Sequence, residues 1–529
     1  MTPWGAVSAE NEPGWARLLR RQDVVVDGGL PHLVAEATPA EAERDDLLRI
    51  ADTLERAGIE PLLIRRASGR PALAVRSEAR GAALAALTED AAAEPWIIQR
   101  RGGRARVLAV EGRRAFGKAD AATLFRPRVH PGGSLHLGVE RGIRLEFWHG
   151  DGTVVRAPHQ NALTRRIIAV DDLRIARVER YGRSWRTLER MFVPGPAEFT
   201  DDVDIVFSWV DGSGDDFQRE RARRMRRYVV GDGDEHAARY RHLDEIRYAL
   251  RSVHMFAPWI RRIFIATDSP APWWLLRHPK VTIVRSEEFF AEAAALPTHN
   301  SHAVEAQLHR IDGLAEHFLY ANDDMFFGRP VRPELFFTPG GISRFVESKV
   351  RIGTGGTAPH RSGHDNAARV NRDLLEQRFG RVITRDLEHC AAPLRRSVAY
   401  ELEAAFPEEF ARTAAATFRS ASDISVTNSL YHYYALMTGR AIATTEPQTR
   451  YIQTTLRPSL PAMERLLARR DADMFCLNDG SRPEVPEEVR SRVLRATLDA
   501  YFPVRSPWET DDREVRPGWR HPLSSADAS

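Results

Sequence analysis

Two adjacent aspartates, Asp323 and Asp324, stand between an apolar run at residues 318–321 and another at residues 325–327. The first run is typical of a short buried strand, and strand carboxyl ends are where open α/β folds bind ligands. Neighbouring carboxylates repel each other at neutral pH unless a cation or hydrogen bonds stabilise them. Because Mg²⁺ takes oxygen ligands, often one or two carboxylates plus substrate phosphates, the stretch predicts a metal-phosphate site. An Asx-rich turn that closes a strand explains the same residues.

Two further stretches end an apolar run with small polar residues. Near the end of the chain, Asn478 and Asp479 follow the apolar residues 475–477. Earlier, Asp211 and Gly212 follow the run that begins at residue 204. A strand end of this kind suits nucleotide recognition, through ribose hydroxyls or a close approach of the backbone. Asp211 also fits a residue that caps a turn.

Strands and helices alternate around these residues. Strands are predicted from apolar runs, and helices from apolar residues at helical spacing; the strands are 204–210, 262–268, 281–284 and 318–321, and the helices are 237–255, 301–314 and, farther along the chain, 393–405. This order is typical of βαβ units. It predicts an α/β fold with a mainly parallel sheet and helices on both faces. Such a sheet gathers Asp211, Asp268 and the Asp323–Asp324 pair along one edge.

The first part of the chain has a different composition. It is rich in Ala and Arg and carries no compact catalytic motif. Helical spacing and β-like runs with turns between them predict an α+β domain that becomes β-rich, of unknown role. A linker at residues 193–196 gives the expected boundaries: an N-terminal accessory domain at 1–195, a catalytic domain at 196–485, and a C-terminal helix with a frayed tail at 486–529.

Bulk properties exclude several classes of protein. The 529 residues are 43% hydrophobic and 28% charged, which is typical of a soluble protein of two or three domains. A net charge of +3 is too small to indicate a nucleic-acid partner. No signal peptide and no membrane span are evident. Cys390 and Cys476 allow one disulfide, although two free thiols in a reducing cytoplasm are favoured.

Four stretches, in this order, resemble the conserved motifs of the Stealth family. They are residues 204–212, then 241–245 with 300–305 and 322–328, then 371–440, and finally 476–479. The family includes bacterial capsule polymerases that transfer hexose 1-phosphate, and the GlcNAc-1-phosphotransferase that tags lysosomal enzymes. The resemblance covers residues 200–480 and leaves the first 200 residues unexplained.

The resemblance implies a GT-A/Rossmann-like nucleotide-sugar domain with a UDP-sugar donor, a glycan acceptor and a Mg²⁺ or Mn²⁺ cofactor. The implied reaction moves a sugar 1-phosphate to a glycan hydroxyl and releases UMP, in capsule or cell-surface polysaccharide synthesis. The expected location is the cytoplasm, with peripheral attachment to the inner face of the membrane left open. Two alternatives remain, a metal-dependent glycosyltransferase that releases UDP and a non-catalytic carbohydrate-binding protein.

The resemblance also assigns roles to residues. Asp323 and Asp324 are the first choices for metal contact, followed by Glu305, Asn478 and Asp479. The alternative for Glu305 is a helix-face ion pair with His309 or Arg310, and the functional role is favoured. Substrate contacts are expected from Trp209, Asp211, Gly212, Asn300 and Asp423.

The remaining roles are phosphate contact and proton transfer. Arg395 and Arg419 are expected to grip phosphate, because the guanidinium group matches phosphate oxygens. His389 is the expected general base, since its pKa ordinarily lies near the operating pH. Family members often carry His-x-Pro-His at this position, and here Ala392 replaces the second histidine. If the second histidine is the one that acts in other members, His389 does not simply inherit its role.

Overall fold

The structure, a computed structural model, describes residues 17–211, 243–480 and 483–510. The chain divides into two units, Met1–Gly195 and Pro196–Ser529. Gly212 and the start of the second motif, residues 241–242, lie outside the described residues. No helix in the described ranges is both long enough and apolar enough to cross a bilayer.

The first unit combines helices with several sheets, as expected for an α+β domain. Its helices are α1 (Pro39–Arg56), α2 (Arg80–Asp90) and α3 (Leu108–Glu111). Its strands are β1 (Val24–Asp27), β2 (Leu30–Val34), β3 (Leu62–Arg65), β4 (Pro71–Arg76), β5 (Ile97–Gln99), β6 (Ala105–Val107), β7 (Ala121–Phe125), β8 (Arg128–Val129), β9 (His136–Leu137), β10 (Ile143–Gly150), β11 (Val154–Arg156), β12 (Ile167–Ala169), β13 (Ile175–Arg180) and β14 (Arg183–Leu188). The largest sheet contains the path β12-β11-β10-β7-β5-β6, with β4 and β3 attached to β10.

The second unit alternates strands and helices. Its helices are α4 (Glu245–Phe256), α5 (Ser286–Phe289), α6 (Ser301–Glu305), α7 (Gly363–Phe379), α8 (Arg396–Ala405), α9 (Pro407–Ala415), α10 (Tyr431–Met437), α11 (Ser459–Arg469) and α12 (Glu487–Tyr501). Its strands are β15 (Val203–Ser208), β16 (Ile263–Ala266), β17 (Val281–Val284), β18 (His317–Asn322), β19 (Met325–Phe327), β20 (Ser343–Phe345), β21 (Glu347–Arg351), β22 (Arg385–Leu387), β23 (Ala392–Arg395), β24 (Ala441–Ala443), β25 (Thr449–Gln453) and β26 (Met474–Asn478).

The central sheet of the second unit has the strand order β17-β16-β15-β18-β23. The first four strands are mutually parallel, and β23 pairs with β18 in the antiparallel sense. Residues 203–207 of β15 are all buried. Ile205, Val206 and Phe207 are apolar because both faces of the sheet are covered, and the buried Asp204 accepts hydrogen bonds from Arg261. The predicted α/β fold with a mainly parallel sheet is confirmed.

A smaller sheet continues directly from the central one. Strand β19 follows β18 after a two-residue turn and pairs antiparallel with β26, which pairs parallel with β25. The rings of Phe326, Phe475 and Phe502 pack against one another behind this sheet, with centroids 5.2–5.9 Å apart. This aromatic packing fixes β19 against β26, although the two strands are far apart in sequence.

Two elements differ from the sequence-based expectation. The predicted helix at 301–314 is only α6 followed by a single 3₁₀ turn at Leu308–Arg310. Most side chains of this segment are buried on all sides. Its apolar residues therefore do not mark the single buried face of a regular surface helix. The predicted helix at 393–405 begins at Arg396 instead, because Ala392–Arg395 extend the central sheet as β23.

The segment after α12 is fastened to α4 by a buried charge cluster. Glu509 has a fully buried side chain and accepts hydrogen bonds from Arg247 at 2.7 Å and from Arg251 at 2.7 and 2.9 Å. Burial alone would raise the pKa of Glu509, but the hydrogen bonds from Arg251 and Ser506 lower it to about 2. The cluster stabilises α4, the helix whose first residue is Glu245.

We expect Glu509→Gln to destabilise the protein by about 3 kcal/mol at pH 7, because it leaves two buried arginines without their carboxylate. Urea denaturation followed by circular dichroism measures this change. The difference from the unchanged protein should narrow as the pH falls from 4.5 toward 2, since the unfolded state then takes up a proton that the native carboxylate, with its pKa of about 2, does not yet bind. Glu446→Gln, which removes an exposed partner of Arg344, is the control and should cost less than about 1 kcal/mol.

Candidate active site

The parallel strands of the central sheet end in register. Ser208 of β15 lies opposite Ala266 of β16 and Asn322 of β18. The residues that follow these strands therefore share one edge, as in other open α/β sheets. Asp323 and Asp324 come directly after Asn322 at this edge.

The second Asn-Asp pair lies beside the first. Met325 is opposite Cys476, and the Leu477 amide donates a 3.0 Å hydrogen bond to the Asp324 carbonyl. Continuing this antiparallel register places Asn478 opposite Asp323. The structure thus brings together the two acidic stretches that the sequence separates by about half of the catalytic unit.

Asp324 is held in an environment that disfavours its charge. Burial raises the pKa of Asp324 to about 6, the Cys476 thiol opposes the rise with a 3.4 Å hydrogen bond, and the carboxylates of Glu245 and Asp479 add to it. Its Oδ1 atom is buried and has no hydrogen-bond partner among the described residues. A divalent cation at this oxygen would satisfy it and neutralise the surrounding negative charge, so the residues fit the metal that the sequence implies.

Glu245 is a member of this acidic group that the sequence interpretation did not select. It is the first residue of α4, and its Oε2 accepts a 2.7 Å hydrogen bond from the Leu243 amide. Its position before an apolar periodic run is the usual signature of a helix N-terminus, which hides any other role. The signal available was its place in the second family motif, next to Asp244.

The Asn478–Asp479 pair is connected to the predicted base. Asn478 donates a 2.7 Å hydrogen bond to the hydroxyl of Tyr451, whose ring centroid is 5.0 Å from that of His389. Asp479 accepts a hydrogen bond from the Thr454 hydroxyl and lies 3.8 Å from Arg490. These contacts fix the orientation of both residues at the end of β26.

His389 is neutral at physiological pH. Burial, together with the charge of His364, lowers the pKa of His389 to about 4, although Asp386 opposes the change. Within the described residues its ring nitrogens have no hydrogen-bond partner, so the imidazole can accept a proton. A pKa this far below the operating pH makes His389 a weaker base than an ordinary histidine, so the reason for expecting this role does not hold, although the neutral ring is able to take up a proton.

A histidine-carboxylate pair that the sequence interpretation missed lies next to His389. The Nε2 atom of His364 is 3.4 Å from Oδ2 of Asp386, and the His364 ring centroid is 6.2 Å from that of His389. His364 lies in the first turn of α7. The weak signal was Asp386, an acid three residues before His389.

The predicted metal ligands do not all converge. Groups of three His, Cys, Asp or Glu side chains whose ligand atoms lie within 4.8 Å of one another could hold a metal ion. Among the described residues such a group is formed by Asp27, His32 and His136 of the first unit, and it contains none of the predicted ligands. Asp323, Asp324 and Asp479 therefore form a looser set. This set is still sufficient for Mg²⁺, which keeps several waters and needs only one or two carboxylates.

Glu305 has a different position from the one expected for a metal ligand. Its Oε2 accepts a 2.7 Å hydrogen bond from Thr427. Its Oε1 lies 3.3 Å from the hydroxyl of Tyr320, which shares its single proton between this oxygen and Asn322 Oδ1 at 2.8 Å. Both oxygens are thus engaged, and Glu305 orients Tyr320. The alternative ion pair is also absent from this part of the structure, since His309 and Arg310 contact Glu403 instead.

Asn300 and Asp423 hold a loop rather than contact a substrate. They are 1% and 0% exposed, and the Asn300 amide donates a 2.8 Å hydrogen bond to Asp423. Asp423 also accepts a 2.8 Å hydrogen bond from the Ser420 amide. Arg419 is the residue before Ser420 in this loop, and its guanidinium donates a 2.8 Å hydrogen bond to the Ser301 hydroxyl. Arg419 is therefore positioned near the start of α6.

Arg395 does not reach the site. It lies opposite His317 at the amino end of β18, five residues from Asn322, and its guanidinium donates a 3.0 Å hydrogen bond to Glu316. The error arose from placing Arg395 in a helix, whereas the edge strand β23 carries it away from the acidic edge.

The residues after β15 are also differently placed. Trp209 is 3% exposed, so it packs in the interior and offers little surface to a substrate. Asp211 is half-buried, and its backbone amide donates a 2.9 Å hydrogen bond to Ser269. Its position beyond the end of β15 agrees with the expected strand-end location.

Comparison with known proteins follows the same regions. Conserved regions 2, 3 and 4 of the Stealth proteins match residues 239–345, 388–436 and 464–517. The exopolysaccharide phosphotransferase CpsY of Mycobacterium tuberculosis is 51% identical over 485 residues, which cover 91% of each chain. CpsY of Mycobacterium leprae is 49% identical, over 95% of this chain and 93% of its own. An exopolysaccharide phosphotransferase of Nocardia farcinica is 53% identical, over 79% of this chain and 85% of its own.

A crystal structure of the galactosyltransferase LgtC with donor and acceptor sugar analogues is also similar. It covers 59% of this chain and 98% of its own, with 10% sequence identity and a TM-score of 0.29. A similarity at this level carries no argument about function.

The matches to named phosphotransferases define the class of the protein, an α/β transferase. With close relatives along nearly its whole length, the chain belongs to the Stealth family. It is accordingly a phosphotransferase, and this part of the sequence-based prediction is confirmed.

We expect Asp324→Asn to stabilise the metal-free protein by about 2 kcal/mol at pH 7.5, because it removes a carboxylate whose raised pKa makes its ionised form costly. The sign follows from the native state, which binds the proton more tightly, so that stability falls as the pH rises from about 4 to 6. Thermal unfolding with and without Mg²⁺ measures the effect. Mg²⁺ should stabilise the unchanged protein and the exposed control Asp312→Asn, and it should leave Asp324→Asn unchanged; equal stabilisation of all three would exclude Asp324 as a ligand.

Proposed function

We propose that this enzyme transfers a sugar 1-phosphate from a UDP-sugar to a glycan hydroxyl, forms a phosphodiester and releases UMP, in exopolysaccharide synthesis. The observation that carries the proposal is the pairing of β19 with β26, which sets Asp323 and Asp324 against Asn478 and Asp479. The names of the mycobacterial and nocardial relatives support the substrate class. The cellular setting that fits this reaction is the cytoplasm, with attachment to the inner membrane face through a partner.

Asp324, with Asp323 and Asp479, would hold the divalent cation, Mg²⁺ or Mn²⁺. When bound, the cation supplies charge neutralisation to the pyrophosphate of the donor. The buried Oδ1 atom of Asp324 and the acidic neighbours Glu245 and Asp479 are the features that favour this assignment.

The chemical step needs a base for the acceptor hydroxyl. His389 would accept the proton of that hydroxyl, and the hydroxyl oxygen would attack the phosphorus that bears the sugar. The bond between this phosphorus and the UMP oxygen would break, and its electron pair would leave with UMP. Arg419, fixed by Asn300 and Asp423, is the candidate for holding the phosphate oxygens in place.

The nucleotide product distinguishes the competing reactions. With a panel of UDP-sugars, Mg²⁺ and glycan acceptors, we expect UMP in the supernatant and a phosphodiester signal in the ³¹P NMR spectrum of the product. UDP without UMP would indicate a conventional glycosyltransferase, in which the sugar C1–O bond breaks. A carbohydrate-binding protein would bind the acceptor and release neither nucleotide.

The base assignment is tested by comparing two histidine variants. His389→Gln should lower kcat by about 10²-fold or more with a small change in KM, because the proton of the hydroxyl then has no acceptor. His364→Gln, which removes the neighbour that helps to lower the pKa of His389, should reduce kcat less and shift the acidic limb of the pH–rate profile upward from about 4. The opposite ranking of the two variants would make His364, with Asp386, the base.

A further inference from the structure

The first unit contains a cationic cleft of about 520 Å³. Its lining includes Arg66, Arg100, Arg101, Arg144 and His159. A cavity of this volume is large enough for a small ligand. The resemblance to known families and the proposed chemistry assign no role to this part of the chain.

The sheet register builds the floor of the cleft. Arg144 of β10 lies opposite Thr123 of β7, which in turn lies opposite Gln99 of β5. Side chains of directly opposed residues point to the same face of a sheet. One row of polar side chains therefore crosses three neighbouring strands, and Arg100 and Arg101 extend it into the turn after β5.

The arginines of the cleft are poorly neutralised by the protein. Within the described residues, the guanidinium groups of Arg66, Arg100 and Arg101 have no hydrogen bond or ion pair. Arg144 contacts Glu146 through Nε at 2.6 Å, while its buried Nη2 has no partner in the described part of the chain. By contrast, Arg126 in the same unit contacts three carboxylates within 2.8 Å.

The crowding of positive charge acts on Arg66. Burial lowers the pKa of Arg66, and the charges of Arg144 and Arg70 lower it further, against the smaller opposing effects of Glu43 and Glu146. Like charges that are held together without counterions destabilise the folded protein. An anion bound in the cleft would neutralise these charges and stabilise the folded protein. Phosphate is the anion whose oxygens best match several guanidinium groups.

We propose that the cleft binds the phosphodiester groups of a phosphate-containing glycan, which makes the first unit an acceptor-binding or product-binding module. This inference rests on the proposed function, because that reaction creates such a glycan. Gln99 and Thr123 offer hydrogen bonds to sugar hydroxyls. The described lining residues include no Phe, Tyr or Trp, so His159 is the one aromatic ring among them that a nucleobase could stack on.

Calorimetry on the full chain, without donor or metal, tests the proposal. The probes are a phosphodiester-linked disaccharide and the same disaccharide with the phosphate methylated to a neutral triester. We expect the diester to bind and the triester not to bind. The double variant Arg66→Ala, Arg100→Ala should weaken diester binding at least about tenfold. This is the effect expected even if only one of the two arginines makes a charge-assisted hydrogen bond to the phosphate. Within the described ranges neither guanidinium has a hydrogen bond or ion pair to lose, and circular dichroism checks the fold.

Arg156→Ala, which removes an exposed arginine of β11 in the same unit, is the matched control and should bind the diester normally. Equal binding of diester and triester, or unchanged binding by the double variant, would overturn the proposal. Inorganic phosphate or UMP binding as tightly as the disaccharide would overturn the assignment to a glycan.

The two proposals fail separately. Calorimetric binding needs no turnover, so absence of UMP release with diester binding retained counts against the proposed reaction alone. If UMP is released, the double variant should raise KM for a long phosphodiester acceptor while kcat and KM for a short acceptor stay unchanged. UMP release without diester binding counts against the cleft alone.

Discussion

The crowding of carboxylates at one buried edge is the constraint on which the rest of the catalytic unit depends. Asp324 lies near Glu245 and Asp479, and burial together with these charges raises its pKa to about 6. The arrangement costs stability in the absence of a cation. The arrangement persists because the packing and ion pairs of the surrounding structure offset this loss of stability, as is usual at functional sites.

The scaffold holds the edge from two directions. Behind it, the rings of Phe326 in β19, Phe475 in β26 and Phe502 pack against one another, so the two acidic stretches cannot separate without exposing aromatic surface. On the other side, the buried Glu509 cluster fixes α4, the helix that begins at Glu245. The attractive contacts of Glu509 with two arginines lie away from the site. The repulsive contacts, among Asp324, Glu245 and Asp479, lie within it.

The site residues divide according to the kind of contact that places them. Asp323 and Asp324 were predictable because an apolar strand leads directly into them. His364 and Asp386 were not, since their proximity to His389 depends on where α7 begins and on the pairing of β21 with β22. Arg395 was assigned to the site because a local helical pattern outweighed its pairing with His317, a long-range contact that no local pattern reveals.

The sequence by itself determined the alternation of strands and helices, the parallel character of the central sheet and the family to which the chain belongs. These properties follow from local apolar patterns and from motifs that are continuous in the chain. Only the tertiary structure decided that Asp324 and Cys476, 152 residues apart, are hydrogen-bonded neighbours, and that a row of polar side chains in the first unit forms a cationic cleft. The physical reason is that strand register and burial are set by contacts between distant segments, and these contacts also fix the charge state of each group.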